Sequence, residues 1–315
     1  INDKNIEAAY QLAYLYATQD KGELSKTYVN KVLKMGLQHP KIESTKLLRD
    51  YIFKNQIGKL PKRIAPQKYH LGLSKSLYQN KEYGLALIQI ETAAKLNPSD
   101  LKTQEILVGM YSLFLRLEKA EKALLRLIES ANDKDSLKSR SYQEWGDIAV
   151  LRGKMKAAKK RYEKAKELGD PQGIAKITLK ELPDLSTPVD KLPLNPNELF
   201  INPTNSLNRK GEIFAHFGMH QRALGIYSLV LRMEPSNLAA LLNMATSNYQ
   251  NKKYNRAISI LERLLVIHPN HENILSHRLL LARAYVMKGD HGDGLKNVDL
   301  ALKLNPNAKY MITSD

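Results

Sequence analysis

With 315 residues, 43% of them hydrophobic and 26% charged, the chain is long enough for a large core and ordinary in composition for a folded protein. No apolar run reaches the roughly 18 residues that a membrane-spanning helix needs, and the absence of cysteine excludes disulfides and thiolate metal sites while leaving the compartment open. The net charge of +17 points to acidic partners: an acidic peptide, a nucleic acid or an anionic membrane surface.

Residues 5–40 read as a helix pair. Leu12, Ala13 and Tyr16 share one face of its first helix, Val29, Val32 and Leu33 one face of its second, and Asp20, Lys21 and Gly22 supply the turn. Residues 41–57 read as a further amphipathic helix with Leu47, Leu48, Tyr51 and Ile52 on its inner face, ended by Pro61 and Pro66. A clearer pair covers about 67–100, with Leu73, Ser74, Leu77, Ala86, Ile90, Ala93 and Pro98 as its spaced apolar, small and breaking residues. The next, about 104–137, aligns on Tyr111, Phe114 and Ala123, with a second register on Ala120 open. A third covers 139–171 through Tyr142, Trp145, Gly146, Ala158, Tyr162, Ala165 and Pro171, and residues 172–182 read as a capping helix. Residues 183–203 are proline-rich without helical period, which predicts an extended connector dividing an amino-terminal array (1–182) from a carboxy-terminal one.

The carboxy-terminal array, 204–309, holds the plainest repetition. Ala223 and Ala257, Tyr227 and Leu261, Pro235 and Pro269, and Gly211 and Ala245 all stand at one interval of 34 residues. A third copy follows on Leu281, Ala282, Tyr285, Gly294, Val298, Ala301 and Pro306, and 310–315 form a tail. Such a period marks antiparallel helix pairs stacked in an array, with small residues where helix backbones approach. The pattern resembles the tetratricopeptide-repeat family, in a bacterial form. The resemblance implies an all-α superhelix, an α-solenoid of antiparallel helix pairs, and a protein that binds other proteins.

Chemistry is sparse. His271-Glu272 opens like a zinc-protease motif, but His277 stands six residues on rather than four, and does not return to the same helix face. His216 and His220 flank Gly218 at a helix–helix turn. The segment GDHGDG at 289–294 follows a helix rather than a strand and reads as a repeat turn, not a phosphate loop. Glu212 and Asp147 read as single acids on helices, and no nucleophile elbow is present. No catalytic residue, metal site or cofactor is expected.

The family resemblance places partner contacts on the first helix of each pair, off its packing positions: Lys68, Lys75, Tyr78, Arg116, Arg140, Gln143, Asn208, Glu212, His216, Asn243, Tyr249 and Arg283. Asn243 also matches the central asparagine of the carboxylate clamp by which one subgroup binds chaperone tails. Asn208, Glu212, Ser276 and Leu280 replace the other clamp residues, and a glutamate repels a terminal carboxylate, so that function is not carried over. The expected function is a non-enzymatic scaffold whose concave groove holds an acidic peptide or helix of a protein partner, in bacterial envelope or appendage assembly or in signalling. A second copy of the chain is a further partner class. The alternative is nucleic-acid or anionic-membrane binding through the basic segment 152–166, where Lys156, Lys159, Lys160 and Lys164 fall near one helix face. Trp145, Tyr142 and Tyr162 hold core positions there and do not offer a stacking platform. A start at Ile1 fits a trimmed or mature form, with a cytoplasmic location expected, or a periplasmic one where a signal segment has been removed.

Overall fold

A computed structural model describes residues 6–18, 21–35, 45, 46, 48–50, 66–132, 134–183 and 202–305. All regular secondary structure among them is α-helical: α1 (Ile6–Thr18), α2 (Gly22–Met35), α3 (Pro66–Gln79), α4 (Tyr83–Leu96), α5 (Leu101–Leu113), α6 (Leu117–Ser130), α7 (Asp135–Leu151), α8 (Met155–Glu167), α9 (Ile174–Glu181), α10 (Pro203–His216), α11 (His220–Met233), α12 (Leu238–Gln250), α13 (Tyr254–Ile267), α14 (Ile274–Lys288) and α15 (His291–Leu304). Residues 45, 46 and 48–50 are also helical, and Leu48 is fully buried, in keeping with the helix expected over 41–57. Residues 184–201, most of the expected connector, and the tail at 310–315 lie outside the described residues.

The repeat has one geometry throughout. The fourth residue of each second helix is small and buried: Ser25, Ala86, Ala120, Ala158, Ala223, Ala257 and Gly294. Five residues before it the turn adopts a left-handed conformation, at Lys81 (φ 63°), Leu115 (φ 52°), Gly153, Gly218, Lys252 (φ 57°) and Gly289. Both marks place the second full pair on Ala120, so the Ala123 alignment is corrected. Ala123 sits one helical turn deeper and is less completely covered than Ala120. The extra residues lie in the next helix, α7, which has 17 residues against 13 in α5.

The close approach is filled according to its size. An added Cβ on Gly146 would stand 2.5 Å from the Tyr162 ring, and one on Gly211 closer still to the Tyr227 ring. At the corresponding step Ala245 is matched by Leu261, both fully buried. A smaller residue on one helix thus admits a larger one on its neighbour, as close packing requires. Gly211→Ala should therefore destabilise the protein by about 1–3 kcal/mol through overpacking, and Tyr227→Leu in the same molecule should recover part of that loss. A double-mutant cycle on urea midpoints checks this; additive losses would contradict the pairing. Where serine occupies either position it closes the joint with a hydrogen bond: Ser25 donates to the Ala13 carbonyl (2.6 Å) and Ser74 to the Ala86 carbonyl (2.8 Å).

Two compact units arise. The first holds residues 1–111 and 118–130, the second 112–117 and 131–315. In the second unit α9 packs on both α8 and α11, and α7 packs on α10. One buried apolar cluster runs from Ala149 and Tyr162 through Phe214 and Tyr227 to Ala240. Asn202 caps α10, its side chain accepting from the Thr204 amide, and Pro203 takes the first helical position. The Glu181 carboxylate, at the end of α9, accepts the amides of Gln221 (2.7 Å) and Arg222 (3.2 Å) and so caps α11 from outside.

Candidate partner-binding site

The residue following the small one in each first helix of the second unit is Asp147 in α7, Glu212 in α10, Thr246 in α12 and Arg283 in α14, so these four mark one face. Along that face the chemistry changes from closed to open.

At α7 the face is closed by charge. Asp147 is fully buried and is met by Arg222 and by Lys210 (3.0 Å), while Tyr162 donates its hydroxyl to Oδ1 (2.8 Å). Lys210 also reaches Glu144 (3.1 Å). Burial alone would raise the Asp147 carboxyl, but the positive charges of Arg222 and Lys210 outweigh it and hold its pKa at about 2. Burial, then the Asp147 charge, pushes the Tyr162 phenol well above its ordinary value. Burial opposes the charge on Lys210, yet the nearby carboxylates raise its pKa. Asp147, read from sequence as a single acid, is the centre of this cluster. Its partners stand far along the chain on α10 and α11, so spacing could not reveal it.

At α10 and α12 the face is half-closed. Glu212 spans the two helices, accepting from Asn243 (3.1 Å) through one oxygen and from Arg209 (3.1 Å) through the other. With its amide nitrogen so engaged, Asn243 keeps its side-chain oxygen as an acceptor. Thr246 and the half-buried Tyr249 continue the stripe, and the Tyr249 ring meets Tyr254 edge-on at 5.7 Å. On α14 the corresponding positions are Leu280, Arg283 and Val286, with Arg283 exposed, Val286 44% exposed and the adjoining Met287 52% exposed. Leu242, Tyr249 and Leu280 border one apolar cluster built on Ala245, Ala257 and Leu281, which places both stripes over a common core.

Several expected contacts move. Asn208 is buried and donates to Asn237 (3.1 Å), whose side chain caps α12, so it is corrected to a structural residue. Gln143 is buried against Asp170 (2.7 Å) for the same reason. Arg116 lies in the turn after α5, not on it, because Leu115 ends that helix region in a left-handed conformation. Arg140 is half-buried on α7, and His216, the last residue of α10, is exposed with its ring against Phe217. Lys68, Lys75 and Tyr78 lie on α3 in the first unit; the lysines are exposed and Tyr78 meets Tyr83 edge-on. Trp145 is half-buried rather than core, with the Arg161 guanidinium 4.0 Å from its ring centre. Lys156, Lys159, Lys160 and Lys164 are all exposed on α8. Gly289 ends α14 and Asp290 caps α15, so of the turn expected over 289–294 only these two residues lie between helices and 291–294 form the first turn of α15.

The rejected histidine pair does meet. His271 precedes α14, so helical spacing does not govern it, and its ring stacks on that of His277 at 5.4 Å. His277 is 2% exposed; burial first, then His271 and His268, lowers its pKa. The folded state therefore favours neutral His277, and stability should fall as acid protonates the unfolded chain below about pH 6.5. Melting temperatures between about pH 7 and pH 5 should drop more steeply for the wild type than for His277→Phe; parallel curves would contradict the assignment. Among the described residues no group of three or more metal-ligating side chains is placed to hold an ion, and no helix is long and apolar enough to cross a membrane.

A family model described as tetratricopeptide repeat matches residues 215–278, which include Asn243, Thr246 and Tyr249. No curated protein matches the chain. Among solved structures, the chain is similar to PilW, a widely conserved type IV pilus biogenesis factor (16% identity, TM-score 0.38, covering 76% of this chain and 93% of that one). It is similar also to PilF of Pseudomonas aeruginosa (14%, 0.38, 76% and 92%) and to the TPR2AB domain of yeast Sti1 in complex with pHSP90 (15%, 0.32, 78% and 95%).

Proposed function

We propose that the chain, which a tetratricopeptide-repeat family model matches over residues 215–278, is a non-enzymatic scaffold that holds a segment of a protein partner on the first-helix face of its second unit, over α12 and α14. The observation that carries this reading is the change along one repeat position. Asp147 and Glu212 are consumed by internal bonds, whereas Thr246 stands on a stripe where the Asn243 oxygen and the Tyr249 ring are presented, with the exposed Met287 on the neighbouring helix. Stacked repeats offer such faces as extended binding surfaces. The Asn243 oxygen suits a backbone amide, Tyr249 offers an aromatic surface with a polar end, and Leu280 and Met287 accept an apolar side chain. The net charge of +17 favours a partner segment that carries an acid beside that apolar residue.

Peptides selected from a random display library against the wild type provide the test. Replacing Asn243 and Tyr249 together by alanine should weaken their binding roughly 30- to 1000-fold, about 1–2 kcal/mol for each residue, with the helical spectrum unchanged at the temperature of the binding measurement. The control replaces Lys156, Lys159, Lys160 and Lys164 by glutamine. Loss of binding in the control, with none in the groove variant, would overturn this reading.

A further inference from the structure

We propose that the outer face of α8 and α9 docks on an anionic lipid surface, independently of the groove. The segment Met155–Glu181 contains four acids, and none is left to neutralise that face. Asp170 accepts the amides of Ala175 (3.1 Å) and Lys176 (2.9 Å), and Glu181 caps α11. Glu163 and Glu167 are paired with Lys159 (4.0 Å) and Lys164 (3.0 Å). Lys156, Lys160 and Lys166 on α8 and Lys176 and Lys180 on α9 are exposed and have no side-chain partner among the described residues. The core side of α8 is Met155, Ala158, Tyr162 and Ala165, so Lys156 and Lys160 lie directly opposite it.

The kind of anion follows from what accompanies the lysines. Ile177 is 45% exposed between Lys176 and Lys180, an apolar residue set among cations as membrane-surface helices have them. A single-stranded nucleic acid calls instead for exposed aromatics to stack its bases. Here Tyr162 is buried, and Trp145 lies under Arg161, whose guanidinium also donates to the Trp145 carbonyl (3.0 Å). Lysines are hydrated point charges suited to a diffuse plane of charge, and each adds to attraction near an anionic bilayer.

Co-sedimentation of the full chain with vesicles tests this. Phosphatidylcholine vesicles should leave it in solution, and vesicles with about a third phosphatidylglycerol should bind it, less so as salt rises. Changing Lys156, Lys160, Lys166, Lys176 and Lys180 to glutamine should lower that binding by roughly ten-fold or more, with an unchanged helical spectrum because all five are exposed. Ile177→Asn should lower it by a smaller factor that persists in high salt. Undiminished binding by the five-fold variant overturns the proposal. So does a duplex oligonucleotide of random sequence that binds under conditions in which the anionic vesicles do not.

Discussion

Asp147→Ala should lower stability by about 3–5 kcal/mol, because it leaves Arg222 in the core without its counter-ion and Lys210 with Glu144 alone. Lys210 and Arg222 would remain against a site that is now apolar, and the Tyr162 hydroxyl would lose its acceptor. A change of Asp147, Lys210 and Arg222 together to leucine or methionine should recover much of the loss, since it removes the stranded charges along with their partner. Guanidinium titrations of the three proteins check this; a single variant as stable as the wild type would show that Asp147 is not the centre of the cluster. The pH dependence has a defined sign. The Asp147 carboxyl is held at about 2 against an ordinary 3.8. Its contribution is therefore complete above about pH 4 and is lost as pH falls toward 2.

Ala257→Arg should be comparably severe. Ala257 is fully buried at the crossing of α13 with its neighbours, in the cluster that underlies Tyr249 and Leu280. Overpacking there costs about 1–3 kcal/mol, and a guanidinium buried without a partner adds to that. Ala257→Ser provides the contrast. Ser25 occupies this repeat position in α2 and bonds the Ala13 carbonyl, so serine at 257 has the Ala245 carbonyl within the same geometry and should change stability by less than about 1 kcal/mol. Thermal melts separate the two. An unchanged melting temperature for the arginine variant would contradict the repeat register.

The helix pairs were legible because their marks repeat. Ala223 and Ala257 share an interval, as do Gly211 and Ala245, and the structure gives each the same place. The register of α5 and α6 was ambiguous because Ala120 and Ala123 are both small. The turn that settles it carries Leu115 at a left-handed position where other copies carry glycine or lysine. The closed half of the candidate face was not legible. Asn208 and Gln143 look like free polar side chains until Asn237 and Asp170 are folded against them. Asp147 was hidden for a similar reason, since its charge is answered from α10 and α11, helices beyond the proline-rich segment. Residue types at a repeat position identify a face, whereas the bonds made across helices decide which part of that face is open.

The most direct measurement places a photo-cross-linking residue at Tyr249, at Met287 and, separately, at Lys160, and irradiates each protein with the selected peptide bound. The account predicts peptide adducts from positions 249 and 287 and none from 160. Adducts from 160, with none from 249 or 287, would contradict it.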